Sequence, residues 1–119
     1  MDQPHIHIAC VSNVFSRQMK FLKAGDTELG HTHQFDHITL LARGSLRVTI
    51  DGQSSEFQEG AQIFIQKDLV HELVALEDNT VAYCIHAMRW GDGLNDIIDP
   101  ACVPLGSTVK GLAKAVVTL

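Results

Sequence analysis

Residues 25–44 read GDTELGHTHQFDHITLLARG, and the spacing of the histidines and glycines in that stretch decides how the rest of the chain is understood. On an extended backbone, His31-Thr32-His33 puts both imidazoles on one face and Thr32 on the other. Neutral imidazole is a good ligand for zinc, iron, copper and nickel, so the pair suits a first-row metal. Alone it is a weak signal, since His5-Ile6-His7 repeats the pattern in the same chain with no chemistry attached. His37 adds a geometric constraint. On a straight strand it would lie roughly 20 Å from His31, at about 3.3 Å per residue, too far for two ligands of one ion. A shared ion requires a turn over Gln34-Phe35-Asp36, with His37 opening the next strand. His71 would then come from a much later strand, brought alongside when the sheet closes.

Outward from this stretch the pattern is short and β-rich. His5–Val11 and Val14–Lys23 read as strands split by Ser12-Asn13, and His37–Arg43 runs into a break at Gly44. Leu46–Asp51 alternates, with Leu46, Val48 and Ile50 on one face and Arg47 and Thr49 on the other. Asp51-Gly52 is a hairpin signal, because both central residues of a type I′ turn need positive φ. Ala61–Gln66, His71–Leu76 and Thr80–Arg89 follow as strands. Strands at this spacing, joined by turns too short for a crossover helix, predict an all-β antiparallel barrel or sandwich. Residues 91–119 change character. Gly91-Asp92-Gly93, Pro100 and Pro104 mark loops, and only Lys110–Val117 suits a short helix. This extension is expected to pack on the barrel or on a partner chain.

With 119 residues, 45% of them apolar and 19% charged, the chain reads as one globular domain over residues 1–119. A net charge of −5 without a basic stretch excludes a nucleic-acid partner or an anionic membrane surface. No apolar run is long enough to span a bilayer, and the expected location is cytoplasmic. Cys10, Cys84 and Cys102 are odd in number and widely spaced, which fits reduced thiols rather than a disulfide framework.

Two segments together resemble the cupin superfamily. Gly25-(five residues)-His31-x-His33-(three residues)-His37-(six residues)-Gly44 is similar to its first motif, G(x)5HxH(x)3–4E(x)6G. Gly60-(five residues)-Gln66-x-Asp68-(two residues)-His71-(three residues)-Ala75 resembles the second, G(x)5PxG(x)2H(x)3N. The resemblance spans residues 25–75 and implies a jelly-roll barrel (a double-stranded β-helix) with one divalent transition metal per chain: iron, manganese, nickel, copper or zinc. It implies ligand roles for His31, His33, His37 and His71. His37 departs from the family pattern, standing where glutamate is usual. An ion there keeps its full local charge and is the stronger Lewis acid; the other reading of His37 is a hydrogen-bonding residue that does not ligate. Gln66, Asp68 and Ala75 replace the usual proline, glycine and asparagine, a change of loop geometry. Asp68 reads as a solvated turn residue or as a group orienting a ligand histidine.

Strand parity predicts the pocket. With His37 inward, Thr39 and Leu41 follow, and a two-residue turn at Gly44-Ser45 would pair Leu41 with Val48 and Thr39 with Ile50. Leu73 follows His71 by two. Phe35, in the turn between ligands, guards the mouth or packs in the core. His86 lines the pocket as an acid–base group or is a core histidine satisfied by hydrogen bonds. A mostly apolar cavity with one metal suits a small organic ligand. Ile38 and Leu40 on the opposite face need cover, which points to a homodimer. Three functions fit: a mononuclear oxygenase of dioxygenase type, a zinc-dependent isomerase or cyclase, and a non-catalytic metal-containing binding barrel.

Overall fold

The computed structural model describes residues 2–11, 13–31, 37–66 and 68–87. These form β1 (His5–Val11), β2 (Val14–Phe21), β3 (Thr27–His31), β4 (His37–Arg43), β5 (Ser45–Ile50), β6 (Gln53–Gln58), β7 (Gln62–Ile65), β8 (His71–Ala75) and β9 (Thr80–Ala87). The strands make two antiparallel sheets, one ordered β1-β2-β9-β4-β7 and the other β3-β8-β5-β6. Among the described residues there is no helix, so none that is long and apolar enough to cross a membrane. The helix expected over Lys110–Val117, the turn containing Phe35 and the end of the last predicted strand at Met88-Arg89 lie outside the described residues.

The two sheets face each other, and their inner side chains fall into rows set by register. Met19 pairs with Ala82, which pairs with Leu41, while Leu46 pairs with Ala75 in the opposite sheet. All five are buried, and with Phe21, Val48, Ile63, Ile65 and Leu73 they form the core cluster. Each large apolar side chain buried this way contributes about 1.5–3 kcal/mol, so stability is concentrated in this packed end. One residue pair further along each strand comes the row of Thr39, Cys84 and Arg17, and one further again the row carrying His37 and His86.

The hairpin expected at Asp51-Gly52 forms, with φ of 49° and 81° at its two central residues and Ile50 directly opposite Gln53. The pairing expected across Gly44-Ser45 does not. β4 pairs with β7 and β9, whereas β5 pairs with β6 and β8, so Leu41 and Val48 lie in different sheets and meet across the interior. Gly44 is where the chain leaves one sheet for the other. Its φ is +85°, and a Cβ there would overlap Thr80 Oγ1 and come within 3.0 Å of Thr80 Cα. Thr80 is itself fully buried and donates its hydroxyl to Glu77 O at 2.9 Å, so it has little room to retreat. The inward assignment of Thr39, Leu41 and Val48 stands on that crossing rather than on a hairpin.

Two strands were not evident from pattern. β6 reads QSSEFQ, which has no apolar alternation. It is held on β5 by backbone pairing and by cross-strand contacts on the outer face, Thr49 Oγ1 with Ser54 Oγ at 2.7 Å and Arg47 with Glu56 at 3.2 Å. β3 is short, and its register with β8 shifts between Glu28 and His31.

Candidate metal centre

His37 and His71 come from different sheets and meet inside the barrel. Both are buried, and their ring centroids lie 5.2 Å apart with the planes tilted by 57°. His37 opens β4 opposite Ile65 of β7, and His71 opens β8 opposite Ile50 of β5. The same register sets His31, the last residue of β3, directly opposite His71. His33 and Phe35 lie outside the described residues. Among the described residues, no three His, Cys, Asp or Glu side chains converge as a ligand group.

His71 is oriented by the chain just before it. Its Nδ1 donates to Leu69 O at 3.2 Å, because a carbonyl oxygen can only accept. In a neutral ring that bond puts the proton on Nδ1, the tautomer in which Nε2 can ligate a metal. The orienting acceptor is thus a backbone carbonyl. Asp68 instead serves the turn, at the position where the second motif has glycine, with φ of +64°. Aspartate tolerates this left-handed conformation at some cost. Asp68→Gly is accordingly expected to stabilise the fold by about 0.5–1 kcal/mol, read as a higher denaturant midpoint at unchanged slope.

The donor set fits a divalent transition ion. Two imidazoles bound at about 2.1 Å with ligand angles between roughly 90° and 109° would place their centroids about 4.5–5.2 Å apart, and His37 and His71 stand at 5.2 Å. Part of the wall beside them is apolar, with Ile65 and Leu73 buried and Ile50 partly so. His86 is buried on the inner face of β9, and the β4–β9 register, carried one residue beyond Ile38–Ile85, sets it beside His37. Thr39, wholly buried, lies at hydrogen-bonding distance from Cys84, 3.5 Å between Oγ1 and Sγ. Burial pushes the Cys84 thiol above its ordinary range, with the Thr39 contact opposing, so it is a neutral lining group. Leu41 and Val48 sit deeper, in the packed floor.

One feature of the inner wall was missed. Arg17 shares the inward parity of Phe15, Met19 and Phe21 on β2, and its guanidinium meets Glu28 of β3 at 3.0 Å. An arginine among alternating buried apolar positions is a signal that the sequence carried. Glu28 lay in a strand the pattern did not reveal.

Comparison of the sequence with protein-family models and with curated proteins finds no match. Solved structures do match. KdgF from Halomonas sp. has a TM-score of 0.64 at 22% identity, over 72% of this chain and 79% of that one. A cupin-2 domain containing protein from Shewanella frigidimarina has a TM-score of 0.61 at 18% identity, over 74% and 84%. Oxalate decarboxylase of Bacillus subtilis, a protein with Mn(II) centres, has a TM-score of 0.63 at 24% identity, over 73% of this chain and 26% of that one. The fold is the cupin jelly roll, with antiparallel sheets as the two motifs implied.

Proposed function

We propose that this protein is a small metal-dependent cupin acting as a mononuclear oxygenase on a small organic substrate. The meeting of buried His37 and His71 at 5.2 Å, inside an apolar barrel, carries this reading. Its likeness in fold to oxalate decarboxylase and its Mn(II) centres supports it. A bound iron, manganese, nickel or copper ion would supply Lewis-acidic, redox-active chemistry there, held by His37 and His71 with His31 and His33.

The chain's own residues do the rest. His37 and His71 are donors in this scheme, with His31 and His33 completing the set. Leu69 O holds the His71 proton at Nδ1, and Ile65 and Leu73 keep water from the buried side. Thr39 and Cys84 offer a hydroxyl and a neutral thiol to the ligand. A second copy of the chain is the macromolecular partner in this reading. It would cover Ile38 and Phe64, register neighbours exposed on the outer face of the larger sheet.

A non-catalytic binding barrel is the second reading. It is favoured by Glu28, a carboxylate on the inner wall that is paired with Arg17 rather than placed as a base. Metal analysis of protein purified without chelators, followed by oxygen-uptake assays on small diketones and catechols, separates the two. About one redox-active ion per chain and substrate-dependent oxygen consumption is the expected result. Bound zinc with no oxygen dependence would refute the oxygenase.

A further inference from the structure

Among the described residues, the inner wall holds an ion pair apart from the candidate metal centre. Arg17 on β2 pairs in register with Cys84 on β9, which pairs with Thr39 on β4, so the three form one inward row across the larger sheet. Glu28 reaches the same row from the opposing sheet, where it pairs in register with Leu73. The Arg17 and Glu28 side chains keep 33% and 14% of their surface exposed, while the inward positions on either side of Arg17, Phe15 and Met19, are sealed. Arg17 is thus an inward-parity side chain of β2 that solvent still touches. The half-buried Cys84 thiol is the register neighbour of Arg17 on the same inward row.

As a brace between sheets this pair is a poor choice. A partly exposed ion pair contributes little to stability, and a well-packed apolar pair would hold the seam at least as well. As a receptor it is well suited. Guanidinium offers five donors in a planar fork that matches a carboxylate, and Glu28 occupies one of its nitrogens, NH2. The row lies one inward step from the histidine row, roughly 6.6 Å along the strand.

We propose that Arg17 is a specificity residue of this barrel. It takes the carboxylate of a small organic anion, in competition with Glu28, and the anion's other, oxygen-bearing end lies toward His37 and His71. The position of that second end rests on the metal-centre reading, whereas the preference for an anion rests on Arg17 alone. The substrate class is then a small carboxylic acid with a carbonyl or hydroxyl at the far end.

Levulinate and levulinamide test this, since they differ only in a carboxylate against a neutral amide. Calorimetric titration of manganese-loaded and of metal-free protein is expected to show levulinate binding at least about tenfold more tightly in both. Arg17→Gln should abolish the difference without changing metal content. Glu28→Gln, which leaves Arg17 in place without its competitor, should widen it. Equal affinities in the parent protein, no binding of levulinate, or a preference that survives Arg17→Gln would overturn the assignment. A protein that takes up no metal but still prefers levulinate through Arg17 would sink the metal reading and leave this one standing.

Discussion

His71→Ala is expected to lower divalent-metal affinity by at least about a hundredfold, more than the loss typical for a residue that only orients a ligand. The reason lies in how this side chain is set. It sits in the interior opposite His37, with Nδ1 donating to the Leu69 carbonyl. Metal that binds only the folded state stabilises it by mass action, by about 4 kcal/mol at a thousand times the dissociation constant. Thermal unfolding of the parent protein with and without chelator should therefore differ by many degrees, and the difference should collapse in His71→Ala. Comparing the two proteins in chelator removes the cost of deleting a buried ring, which is separate from the metal. His37→Ala should behave alike. A melting temperature that ignores chelator in the parent protein would count against a bound ion.

Gly44→Ala is the second large effect, at about 3 kcal/mol of lost stability. The left-handed φ of +85° costs an L-residue roughly 1–2 kcal/mol. The new methyl would also meet the fully buried Thr80, at its hydroxyl and its backbone Cα, so repacking one rotamer cannot relieve it. Gly60→Ala is the control. Its φ of +94° is equally unfavourable, but a Cβ there meets nothing within 4 Å, and about 1 kcal/mol is expected. Denaturant midpoints of the two variants measure the difference directly. Equal losses would show that the Gly44 corner is not crowded as described.

Much of this was legible in the sequence because it is local. Asp51-Gly52 announces its turn through residues that accept positive φ, and Leu46, Val48 and Ile50 announce their inward face through a period of two. His37 could be placed at the start of a strand because two ligands of one ion cannot lie six residues apart on a straight one. Sheet membership was not legible. Gly44 followed by Ser45 reads like a hairpin, and only the partners of β4 and β5 far along the chain show that the backbone crosses between sheets there. β6 escaped because polar cross-strand contacts on an edge leave no apolar period, and β3 escaped because its register shift breaks the alternation. Of the proposed ligand set, His37 and His71 are brought together, and His31 is placed opposite His71 by backbone register alone.

The central claim is that one divalent ion sits between His37 and His71 inside the barrel. Anomalous diffraction at the absorption edge of the metal found in the purified protein tests it most directly. A single anomalous peak at about 2.1 Å from a ring nitrogen of each histidine is the result predicted. A peak elsewhere, as at the exposed His5 and His7 of β1, or no peak in crystals grown with added metal, would contradict it.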